Sequence, residues 1–166
     1  MHTIASRYAE RGVVLPTTVL LLLTITVLAL GAISLNTTQT KIAANTADVQ
    51  LAFQTAEAAL NKVQNDVIAG NYQQATFIAG SPGLYIFDPS ATPLWTRVDW
   101  SSSAVLAGFQ GSKGPAAAFV IEMLPSFIAP GENFKQPTQV FRITSRAVGP
   151  SGSSPVMLQS TVQIQQ

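Results

Sequence analysis

The chain changes its hydrophobic pattern twice. Residues 13–35, "VVLPTTVLLLLTITVLALGAISL", are apolar almost throughout, and no charged residue lies between Arg11 and Lys41. A helix of that length rises roughly 35 Å, enough to cross a bilayer core of about 30 Å. Residues 36–68 then become amphipathic. Ile42, Val49, Phe53, Ala56, Leu60, Val63 and Val67 recur at helical spacing, with Gln54, Asn61 and Lys62 away from the stripe centre. No Pro or Gly interrupts residues 32–69, so the pattern predicts one helix over about 14–68, stopped by Gly70-Asn71. Pro16 fits such a helix only in its first turn, where its missing N–H has no intrahelical partner.

Beyond residue 70 the period shortens. Nine of the ten prolines follow residue 80, and short apolar runs predict strands at 84–87, 96–100, 118–124, 139–148 and 156–165. The last two alternate strictly. Phe141, Ile143, Ser145 and Ala147 face one way, as do Val156, Leu158, Ser160, Val162 and Ile164, with polar residues between them. This is the pattern of an antiparallel sheet covered on one face. The apolar helix stripe is the natural cover, because each surface supplies what the other must bury. The fold class is therefore α+β, a long N-terminal helix packed on a C-terminal antiparallel sheet.

Charge and composition narrow the function. Charged residues are 10% of the chain and the net charge is +1, so there is no basic footprint for a nucleic-acid partner. Arg7 and Arg11 precede the apolar span, which favours a cytoplasmic N-terminus and a head across the membrane. There is no cysteine, and the single histidine is His2. Triads built on histidine and zinc sites with His or Cys ligands have no residues to form them. The seven carboxylates after Glu10 are scattered, without calcium-loop spacing. No enzyme activity and no cofactor are expected. Asp48 and Glu57 are candidate polar contacts between the helix and partners, with a solvated face as the alternative. Trp95 and Trp100 are expected in the core, with interface anchoring as the alternative.

A short basic leader ending in glycine, an uncharged span, an amphipathic extension and a β-rich head together resemble a type IV prepilin. "RGVVLPTTVLLLLTITVLALGAISL", "KIAANTADVQLAFQTAEAAL" and the closing "FRITSRAVGPSGSSPVMLQSTVQI" are similar to minor pilins of the PilX type. The likeness covers 9–64 and 139–165, and does not extend to 70–135. It implies a leader of residues 1–12 and cleavage by prepilin peptidase between Gly12 and Val13, with methylation of the new N-terminus. The competing site is "ALG" at 29–31, where an ordinary signal peptidase would release the remainder. The implied domains are a transmembrane half-helix 13–35, an amphipathic half 36–69 and a periplasmic head 70–166. Major pilins of this kind carry Glu at the fifth mature position, where this chain has Thr17. The resemblance therefore implies a minor pilin in a tip or priming complex, held in the inner membrane by lipid contact and incorporated into the pilus. Its implied partners are other minor pilins, the major pilin, the inner-membrane assembly platform and a PilY/PilC-type tip adhesin. A type II secretion pseudopilin and a membrane-anchored periplasmic binding module are the alternatives.

Overall fold

The structure, a computed structural model, describes residues 13–102, 105–110, 116–128, 130–131 and 137–165, with the backbone alone for 106–110. Helix α1 runs Val14–Ile68, as the pattern predicts. The chain divides into two compact units, Met1–Ala44 and Asn45–Gln166. In the first, the apolar side chains of the described residues 13–44 are exposed, and this stretch of helix is long and apolar enough to cross a membrane. Its threonine hydroxyls are satisfied within the helix. Those of Thr17, Thr18, Thr24 and Thr26 each donate to a carbonyl three or four residues earlier, so none requires a partner from outside the helix.

Within the second unit α1 ends in a paired backbone motif. Asn71 N–H donates to Asp66 C=O and Gly70 N–H to Val67 C=O, both at 3.0 Å, and Gly70 takes φ 78°. This satisfies carbonyls that the helix end would otherwise leave open. After it come α2 (Gln74–Ile78), β1 (Leu84–Ile86), α3 (Leu94–Arg97), β2 (Leu106–Gln110), β3 (Ala116–Phe127), β4 (Thr138–Val148) and β5 (Pro155–Gln165).

The five strands make one mixed sheet. β3, β4 and β5 are antiparallel neighbours, while β1 (parallel) and β2 (antiparallel) share the other side of β3. The β4–β5 ladder runs without a break from Thr138↔Gln165 to Val148↔Pro155. Pro125 lies where the β3–β4 register shifts, between Leu124 and Phe127, a position that tolerates its lost donor.

Two clusters join α1 to the sheet. Val63 and Val67 pack with Phe77, Leu84, Phe119, Ile121, Phe141 and Ile143. Nearer the helix entrance, Ala56 and Ala59 meet Ala117 and Ala147. Small side chains there let the backbones approach, and Ser145 Oγ donates to the Ala56 carbonyl at 2.8 Å.

The structure corrects three expectations. Residues 96–100 do not form a strand. Thr96 and Arg97 complete α3, and Asp99 closes a turn by accepting from Ser101 N–H and Oγ, which favours a bend over extension. The sheet is also covered on more than its helix side. The 87–102 connection lies over its other face, with the Arg142 guanidinium carbon 5.6 Å from the centre of the Phe87 ring and Trp95 lining a recess with Thr144 and Met157. Thr144 is consequently 4% exposed and Val120 1%. Finally, neither tryptophan is a core residue. Trp95 is 44% exposed and Trp100 half-buried, with its indole N–H donating to the Trp95 carbonyl at 3.3 Å.

Candidate functional site

The candidate residues lie along α1. Thr17 sits in its first turn, where its hydroxyl reaches the Val13 and Val14 carbonyls, each at 2.9 Å. Gly12 lies outside the described residues, and Val13 immediately precedes the helix. Of the apolar stripe, Ala56, Val63 and Val67 are buried and Leu60 packs against the larger cluster. Ile42, Val49 and Phe53 are 60%, 46% and 45% exposed. The sequence stripe missed Ala52, Thr55 and Ala59, which are buried. The signal was available in the helical spacing 52, 55/56, 59, 63, but small side chains carry little weight in a hydrophobic pattern.

Asp48 makes a contact inside its own chain. Its carboxylate accepts from Ser151 N–H at 2.9 Å and from Ser151 Oγ at 2.7 Å. Ser151 belongs to the loop 149–154 between β4 and β5, whose turn is held by Gly152 N–H donating to Gly149 C=O at 2.9 Å. Those donors hold the Asp48 carboxyl below its ordinary value of 3.8. Glu57, by contrast, is exposed and makes no hydrogen bond or ion pair among the described residues.

Gly149 is required by close approach. A Cβ there would collide with the Asp48 carboxyl group. Because that group ends a short movable side chain, Gly149→Ala is expected to expel it and release Ser151 without unfolding the head. Hydrogen exchange at the Ser151 amide should then accelerate, and adding Asp48→Ala should bring little further change, since both variants remove one contact. The contact is also acid-sensitive in a defined direction. A carboxyl with a depressed folded value stabilises above its unfolded value and loses that contribution as pH falls through the folded one. Protection of Ser151 should therefore fall in strongly acidic solution in the parent chain, while Asp48→Asn should lack this step.

On the opposite sheet face lies an ion pair. Arg142 Nη1 is 3.1 Å from Glu122 Oε2, the two residues being directly paired across β3 and β4. Glu122 is 5% exposed. Among the described residues no group of His, Cys, Asp and Glu could hold a metal ion.

A long apolar N-terminal helix carried into a head where it packs on a mixed sheet defines the pilin class of α+β folds. Within that class the profile of the type IV pilus assembly protein PilX, C-terminal region, matches residues 36–164. The chain belongs to the PilX family. It is a membrane-anchored component in type IV pilus assembly and interacts with other components of the pilus. Neither curated proteins nor solved structures gave a match.

Proposed function

We propose that the chain is a minor pilin at the end of the fibre, in a priming complex with other minor pilins on which the major pilin is added. The supporting observation is the polarity of the first helical turn. The Thr17 hydroxyl donates within its own helix, its one hydrogen shared between the Val13 and Val14 carbonyls. A carboxylate at the same place would cost several kcal/mol in a bilayer unless a neighbouring charge met it. A subunit with no neighbour ahead of it lacks that partner and gains by carrying threonine. In this reading prepilin peptidase cuts between Gly12 and Val13 on the cytoplasmic side, leaving the head in the periplasm. The assembly platform and a PilY/PilC-type adhesin then act on opposite ends of the same complex.

Two measurements test it. Mass spectrometry of the membrane-extracted chain should find methylated Val13 as the first residue, whereas Met1 or Ala32 would remove the prepilin processing. Immunogold labelling of the head should mark fibre ends in both the parent and Thr17→Glu, with pilus number unchanged. Label along the shaft, or more pili in Thr17→Glu than in the parent, would overturn placement at the end.

A further inference from the structure

The sheet ends in two edges that differ in kind. On one side β1 has three residues, and β2 has five with a register shift between Ala107 and Phe109. Short and bulged strands are what proteins use to keep an edge from pairing. The other edge is β5, with eleven residues, no register shift and no charged residue between Pro155 and Gln165. Among the described residues none of the usual protections is present except the proline at its first position. We propose that the free edge of β5 receives an extended segment from another component of the pilus, as an added strand.

The helix beside this edge fits that occupant. Gln64 Nε2 donates to Ser160 Oγ on β5, which identifies the flank of α1 turned toward β5. At 3.6 residues per turn, Phe53, Glu57, Leu60 and Gln64 fall within a sector of about 60°. Leu60, Val162 and Ile164 each pack, partly buried, against the larger cluster, while Phe53 is 45% exposed and Glu57 has no ion pair among the described residues. The inner side chains of β5 are themselves only half-buried. An added strand would continue the inner face over them and toward Phe53. Its sequence should alternate, with apolar residues turned to the helix and a Lys or Arg within reach of Glu57.

A second copy of this chain does not fit. Its β5 carries no Lys or Arg to meet Glu57, in parallel or in antiparallel pairing. The occupant is therefore a different pilus protein. The inference rests on membership of the pilus family and not on placement at the fibre end, which the N-terminal and gold-labelling measurements test separately.

The test places a photo-cross-linking amino acid at Gln159, Thr161 or Gln163, each exposed on β5, in the full-length chain in piliated cells. Thr92, exposed in the 87–102 connection, serves as the control. Each β5 position should form an adduct with the same pilus protein. The attachment point should move by two residues along the partner for each two-residue step along β5, the signature of a paired strand. Glu57→Lys should lower the yield from Gln159 several-fold. Absence of adducts from all three β5 positions, adducts with a second copy, or attachment points without register would each overturn the proposal.

Discussion

Replacing Arg142 by alanine is expected to destabilise the head by about 3–5 kcal/mol, because it leaves the Glu122 carboxylate buried without its cation. Glu122 is 5% exposed, and its partner is the Nη1 of Arg142 at 3.1 Å. The guanidinium also lies over the Phe87 ring, so the same substitution removes a contact between the sheet and the connection that covers it. Thermal unfolding of the detergent-solubilised full-length chain, followed by tryptophan fluorescence, should show a midpoint lower by roughly 10–20 °C. The comparison that gives the number its meaning is the double variant Glu122→Met with Arg142→Met. A buried ion pair replaced as a unit by apolar side chains of similar volume is often neutral or stabilising. Recovery of most of the loss in the double variant would locate the cost in the orphaned carboxylate. A double variant as unstable as Arg142→Ala alone would locate it in lost packing of the arginine stem and Phe87.

The same ion pair shows where sequence patterning stops being informative. Arg142, Thr144 and Arg146 alternate with apolar residues on β4, and alternation assigns them to solvent. It does not report what a distant connection will place above them. Phe87 and Trp95 lie in a segment rich in turns, whose path depends on contacts far apart in sequence, so the cover over Val120 and Thr144 left no periodic trace. Helices α2 and α3 escaped for a related reason, since elements of five and four residues are too short to establish a period. The long elements were legible. Both the 55-residue helix and the alternation of β4 and β5 repeat their signal many times. Along α1 the bulky positions Val49 and Phe53 drew the stripe toward the helix entrance. The surface that meets the sheet there is made of Ala56 and Ala59, with Ala52 buried one turn earlier, because Ala117, Ser145 and Ala147 bring the strands close. The candidate contact at Asp48 was legible as a polar residue on the helix. Its partner, the 149–154 loop, was not, because Gly149 and Ser151 have the composition of any exposed turn.

Phe141→Ala is expected to have a comparable effect by a different mechanism, a loss of about 3–5 kcal/mol from apolar transfer and the cavity left behind. Phe141 is 1% exposed and is the largest fully buried side chain among the described residues. Its ring centre lies 5.6 Å from that of Phe77, the planes tilted by 36°, and it shares a cluster with Val63 and Val67 of α1. One side chain therefore ties the end of the long helix, the short α2 and the middle of the sheet. Stability totals of about 5–15 kcal/mol leave little margin after such a loss, so cells carrying Phe141→Ala should contain less folded chain and fewer pili. Phe141→Leu keeps most of the volume and should lose less, about 1–2 kcal/mol. If pilus number followed the measured stability across parent, Leu and Ala, the residue would act through folding alone. A loss of pili in Phe141→Leu with the unfolding midpoint preserved would show instead that this cluster sets the angle at which the helix presents Phe53 and Glu57 to its partners.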